Sequence, residues 1–112
     1  MTRRRLAFVL ARVALVGVPG CAAALAHPGA EDARWAASRW PGIELRDLEG
    51  GRTLYADRCA GCHNLHQPAE LAPEKWQTAV SEMAGRARLG AKEQDLVVRY
   101  LAAASARARS CP

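Results

Sequence analysis

Gly51-Arg52-Thr53-Leu54-Tyr55-Ala56-Asp57-Arg58-Cys59-Ala60-Gly61-Cys62-His63 is the stretch from which the rest of this chain is best read. Its last five residues hold two cysteines separated by two residues, with a histidine directly after the second. That spacing lets two sulfurs reach the two vinyl groups of a single haem as thioethers, and it turns the following imidazole toward the iron from the same side. Chance is a poor source of such a pentad. With 4 Cys and 3 His in 112 positions, the expected number is roughly 0.004, so the spacing is treated as functional. A thioredoxin-like dithiol would need a βαβ context that the flanking sequence lacks. A zinc site on Cys59, Cys62 and His66 has no second paired motif to complete it. A disulfide between Cys59 and Cys62 would close a strained, very small loop.

The residues around the pentad carry helical patterning. Gly51 to about Cys59 is one expected helix, bearing Leu54 and Tyr55. A second starts at Pro73, a favourable first helical position, and runs to about Ala87. Its apolar stripe is Trp76, Val80, Met83 and Ala87, at spacings of four, three and four. A third spans about Ala91 to Ala104, with Gly90 as its cap and Glu93 in the first turn. Its expected buried face is Leu96, Val97, Tyr100 and Leu101. No segment alternates with period two, so the fold class is all-α. Upstream, Asp32 to Arg39 has room for two helical turns, which Trp40-Pro41-Gly42 would end. Residues 27–47 as a whole read as a linker or a flank packed on the domain surface.

The chain has 112 residues, 50% of them hydrophobic, with 16 Lys and Arg against 11 Asp and Glu. One small domain is all this length allows. The positive charge is unevenly placed. Arg3, Arg4 and Arg5 precede an apolar stretch that is interrupted by Arg12 and resumes over Val13 to Val18, and Ala24-Leu25-Ala26 offers small residues at its exit. This is the layout of a secretory signal, with cleavage expected after Ala26. A second possibility is Val18-Pro19-Gly20-Cys21, which resembles a bacterial lipobox and would attach the protein to a membrane through Cys21. An uncleaved N-terminal anchor is the plain alternative to both. Loss of residues 1–26 would leave 86 residues with 12 basic and 11 acidic side chains. The basic excess therefore belongs to the export segment, and no clustered basic face is left for nucleic acid. Export and the pentad support each other, because haem is attached outside the cytoplasm to an unfolded, reduced chain. A core built from 86 residues is thin, and a covalent cofactor would fill it.

The pattern Gly51-x-x-Leu54-Tyr55-x-x-x-Cys59-x-x-Cys62-His63 resembles the opening helix and haem motif of small class I c-type cytochromes. Pro73-x-x-Trp76-x-x-x-Val80-x-x-Met83, followed by Glu93-x-x-Leu96-x-x-x-Tyr100-Leu101, looks like the remainder of such a domain. The arrangement is similar to the monohaem subunits of bacterial sulfite dehydrogenases and related periplasmic enzymes, over about residues 50–104. The resemblance implies a class I cytochrome c fold of about three core helices around one covalent haem c. The expected layout is a signal over 1–26, a flank over 27–47, a cytochrome domain over 48–104 and a tail over 105–112.

Cys59 and Cys62 are thus the expected thioether residues and His63 one axial iron ligand. The opposite face of the iron separates an electron carrier from an open, reactive site. Met83 is the one methionine left once Met1 is removed, His/Met ligation is common in monohaem carriers, and the resemblance carries the same role to it. Two other possibilities stand beside it: Met83 as core filling on the stripe with Trp76 and Val80, and His66 as the ligand. Tyr55 and Trp76 are core or haem-wall aromatics, and Leu65 is expected to pack near the haem. His27 would become the N-terminal residue, where an amine and imidazole can chelate copper, or would be an ordinary terminus. Cys111 has no evident partner. Arg99, Arg107 and Arg109 complement the dipole at the third helix's end or form a weak docking patch. The expected activity is periplasmic single-electron transfer with redox protein partners, an oxidoreductase or a terminal oxidase chain, and no substrate bond made or broken. Partner docking is expected near Ala60, Gly61 and Met83. The membrane enters only if Cys21 is lipidated. The competing function is a haem sensor or peroxidase-like protein with an open sixth position.

Overall fold

A computed structural model describes residues 25–59 and 65–110. The expectations placed on residues 1–24, Cys21 among them, and on Ala60, Gly61, Cys62, His63 and Cys111 lie outside the described residues. Within them the protein is all-α: α1 (Ala30–Ala37), α2 (Leu45–Cys59), two single 3-10 turns (Pro68–Glu70 and Pro73–Lys75), α3 (Trp76–Ala87) and α4 (Ala91–Ser110).

The starts of α1, α2 and α4 follow one local device. An acidic side chain folds back onto the backbone N–H three residues earlier, satisfying a donor that the first turn leaves without an intrahelical acceptor. Gly29 N–H donates to Asp32 Oδ2 at 2.7 Å, Glu44 N–H to Asp47 Oδ2 at 2.8 Å, and Gly90 N–H to Glu93 Oε2 at 3.1 Å. The first 3-10 turn uses the same contact, Gln67 N–H to Glu70 Oε1 at 2.9 Å. The Glu44–Asp47 cap explains why α2 begins at Leu45, well before the Gly51 expected from sequence. At the other end of α3, Arg88 adopts φ 54° and the chain closes with Leu89 N–H on Ala84 O at 3.0 Å. Gly42, at φ 88°, makes the turn after α1 where Trp40-Pro41-Gly42 was expected to end it.

The main core gathers Tyr55 from α2, Trp76, Val80 and Ala84 from α3, and Val97, Val98, Tyr100, Leu101 and Ala104 from α4. Leu96, expected in the buried face, is half-buried, and Val98 takes an interior place instead. The reason is that α4 is covered on several sides, by α2, α3, both 3-10 turns and α1. It also continues to Ser110, six residues past the expected end at Ala104. A second cluster, Ala36, Ile43, Leu48 and Ala103, joins α1 and the start of α2 to α4. The segment 27–47 is therefore docked by apolar packing, as a surface flank rather than a free linker. Asp32, 2% exposed, is part of that dock: Arg107 Nη1 reaches its Oδ2 at 3.1 Å.

The tightest point of the fold is the crossing of α2 on α4. A Cβ built at Gly51 would overlap the Leu96 carbonyl oxygen and stand 2.7 Å from the Leu96 carbonyl carbon and 2.9 Å from Tyr100 Cβ. Backbone atoms cannot step aside as a side-chain tip can. Gly51→Ala should therefore destabilise the protein by about 3 kcal/mol. Gly50→Ala, where the added Cβ meets nothing within 4 Å, should stabilise it by roughly 0.5–1 kcal/mol through helix propensity. Urea midpoints with unchanged slopes check the pair.

Candidate functional site

Cys59 is the last residue of α2, half-buried and packed against the main core. The first residue of the Cys-x-x-Cys-His pentad thus belongs to a core helix. Its other two motif residues, Cys62 and His63, are outside the described residues. The chain is described again from Leu65, which is half-buried against the same core.

The stretch from Leu65 to Lys75 has only two short 3-10 turns of its own, so much of its backbone lacks helical partners. Core side chains supply them. Tyr55 OH donates to His66 O at 2.7 Å, Trp76 Nε1–H to Pro68 O at 3.0 Å, Arg109 Nη2 to Ala69 O at 3.4 Å, and Ser105 Oγ to Leu71 O at 2.6 Å. Each buried aromatic of this set places its ring in the core and spends its polar atom on the loop. Tyr55 and Trp76 also meet edge to face, with centroids 6.5 Å apart. Both are core residues, and their polar atoms hold the chain following the motif.

A cleft of about 300 Å³ lies between this loop and α3, lined by His66, Glu70, Leu71, Trp76, Ala79, Glu82 and Met83. Trp76, Val80 and Ala84, at four-residue spacing, form the buried line of α3. Met83 stands beside that line, half-buried, and opens onto the cleft. Its position is a rim, not the interior that core filling would need. Met83 and His66, the two candidate sixth ligands, share this one cleft. His66 is half-exposed, and its Nδ1 lies 2.7 Å from Glu70 Oε2. Donation from the Gln67 N–H, then from His66, holds the Glu70 carboxyl below its usual range. Glu70 escaped sequence reasoning, although its position four residues after His66 places the two side by side on one turn.

The other named residues have structural work. Arg107 pairs with Asp32 and donates to His27 O at 3.1 Å, Arg109 holds Ala69 O, and Arg99 lies over the Trp40 ring, 5.7 Å from its centroid. The arginines of α4 thus bind the flank and the loop. His27 is exposed, with its carbonyl engaged. Among the described residues no three His, Cys, Asp or Glu side chains cluster as a metal site, and no helix is long and apolar enough to cross a membrane.

The described residues fit a covalent haem. A half-buried thiol ends one core helix, and a methionine thioether stands at the rim of a cleft on another. Leu54, Leu65, Leu71, Ala79 and Ala87 lie only partly covered against the core, leaving apolar surface that a porphyrin would cover. Comparisons with protein-family models, with curated proteins and with solved structures gave no match.

Burial pushes the Tyr100 hydroxyl up to about 12 and the Tyr55 hydroxyl higher still. Both folded values exceed the ordinary 10.0, so their contribution to stability is complete below pH 10 and is lost as pH rises above it. Tyr55→Phe should cost about 1 kcal/mol at neutral pH by orphaning the His66 carbonyl, and should flatten the alkaline loss. Urea unfolding across pH 7–12 measures both effects.

Proposed function

We propose that this protein is a monohaem c-type cytochrome of the small class I kind, which passes single electrons between redox proteins outside the cytoplasm. The observation that carries this is the position of Cys59, the first residue of the Cys59-x-x-Cys62-His63 pentad, on core helix α2 and against the main core. A tether beginning at that point has a rigid base. Met83 supports the reading by its place at the rim of a cleft, on a helix whose interior line is filled by other residues.

In this proposal Cys59 and Cys62 would hold the haem through their sulfurs, and His63 and Met83 would bind its iron. The bound haem supplies one-electron redox chemistry, with a potential raised by His/Met ligation and tuned by its surroundings. The protein's own contribution is positional. Tyr55 and Trp76 clamp the carbonyls of His66 and Pro68 and so fix the chain after the pentad. The partly covered leucines and alanines around Cys59 and the cleft offer a low-dielectric wall. Redox partners, an oxidoreductase or a terminal oxidase chain, would meet the domain near Met83 through a small transient contact. The periplasm is the proposed compartment, with Cys21 lipidation as the route to a membrane.

Protein made alongside haem-maturation machinery should give a positive pyridine haemochrome that survives acid extraction, and Cys59→Ser together with Cys62→Ser should abolish it. Absence of covalent haem in the parent protein overturns the proposal. Met83→Ala should remove the long-wavelength sulfur–iron charge-transfer band of the oxidised protein and lower its potential. The reduced parent should resist carbon monoxide at neutral pH, whereas rapid binding would favour the open-site sensor or peroxidase-like function.

A further inference from the structure

Leu25, Ala26 and His27 have no regular secondary structure, yet each of their three consecutive carbonyls is held by a side chain from a core helix. Arg52 of α2 donates to Leu25 O from Nε at 3.3 Å and from Nη2 at 3.2 Å. Tyr100 of α4 donates its hydroxyl to Ala26 O at 2.7 Å, and Arg107 of α4 donates to His27 O at 3.1 Å. The Leu25 side chain packs, half-buried, against the cluster that contains Tyr55, Trp76 and Tyr100. These partners are themselves fixed. Tyr100 is 1% exposed, and Arg107 is also paired with the buried Asp32. Chain that trails loosely from a domain does not find an ordered donor for three carbonyls in succession.

We propose that Leu25-Ala26-His27 is a permanent strap of the folded protein, and that the export segment is cut N-terminal to Leu25 instead of after Ala26. The sequence offers a suitable site there: Ala22-Ala23-Ala24 supplies small residues at both positions that a signal peptidase reads. Water adds across the Ala24–Leu25 amide, leaving a carboxylate on Ala24 of the departing segment and an ammonium on Leu25. Cleavage after Ala26 would instead discard the Leu25 side chain and two of the three carbonyls. The Arg52 guanidinium and the buried Tyr100 hydroxyl would lose the acceptors that the fold provides. Arg52 follows Gly51 on α2 and Tyr100 Cβ stands at the same crossing, so two of the strap's three holders flank the joint on which the two main helices meet.

The inference rests on the export part of the proposed function, and intact mass spectrometry of haem-loaded protein recovered from exporting cells separates the two. The added mass of haem reports on the cofactor, and the N-terminus reports on the cut. A first residue of Leu25 is expected. A first residue of Cys21 equally retains the strap and supports the proposal. A chain starting at His27, or one still bearing Met1, overturns it. The mature protein supplies a second measurement. Tyr100→Phe keeps the ring and removes the donor, so its melting midpoint should fall by about 4–8 °C. An unchanged midpoint would mean that the hydroxyl has no acceptor to lose, and the strap would be refuted.

Discussion

The approach of α2 to α4 at Gly51 is the constraint on which the remaining structure depends. There the two helices come close enough that a single methyl group would meet main-chain carbonyl atoms of Leu96. Once this distance is set, Tyr55 one turn further along α2 reaches the core formed by Val97, Tyr100 and Leu101. Cys59, a further turn on, ends the helix against that same core. The position of Cys59 is therefore inherited from a backbone contact about two turns upstream. α3 completes the enclosure by laying Trp76, Val80 and Ala84 against α4, which leaves Met83 at the margin facing the loop.

A second theme is the use of buried side chains to hold chain that forms no helix. A small all-α domain has little interior to spare, and backbone without regular structure still needs partners for its polar groups. The strap at Leu25–His27 and the loop at His66–Leu71 are both met by donors from α2, α3 and α4: two buried tyrosine hydroxyls, one buried indole and one buried serine, joined by three more exposed arginines. The two tyrosines are the clearest instance. Each contributes its ring to the core and its hydroxyl to a carbonyl more than ten residues away in sequence. The arginines of α4 serve the same end, holding the flank and the loop.

Much of this was legible residue by residue. The second expected helix ends at Ala87 as read, but Pro73 opens a 3-10 turn, α3 itself begins at Trp76, and its buried line takes Ala84 in place of Met83 and Ala87. Gly90 and Glu93 cap α4 as the first-turn chemistry requires. Helix limits were harder to read where they rest on an exposed cap or on distant partners. The early start of α2 depends on an exposed cap between Glu44 and Asp47, and the added length of α4 depends on Ser105, Arg107 and Arg109 finding partners in the loop and flank. The same holds for the site. The Cys59-x-x-Cys62-His63 spacing is a purely local signal, whereas the rim position of Met83 and its sharing of a cleft with His66 and Glu70 are products of packing.

The sequence by itself determined the all-α class, the helical periodicities, the cap at Gly90 and Glu93 and the spacing of a five-residue motif, because each of these depends on neighbours within about one or two turns. The tertiary structure decided which side of α3 is interior, that Gly51 is a contact rather than a neutral glycine, that Arg52, Tyr100 and Arg107 serve a strap, and that Asp32 is buried. Those outcomes rest on pairs such as Tyr100 with Ala26 and Arg107 with His27, separated by 74 and 80 positions. No local pattern encodes such a separation, because the partners meet only after the helices have packed.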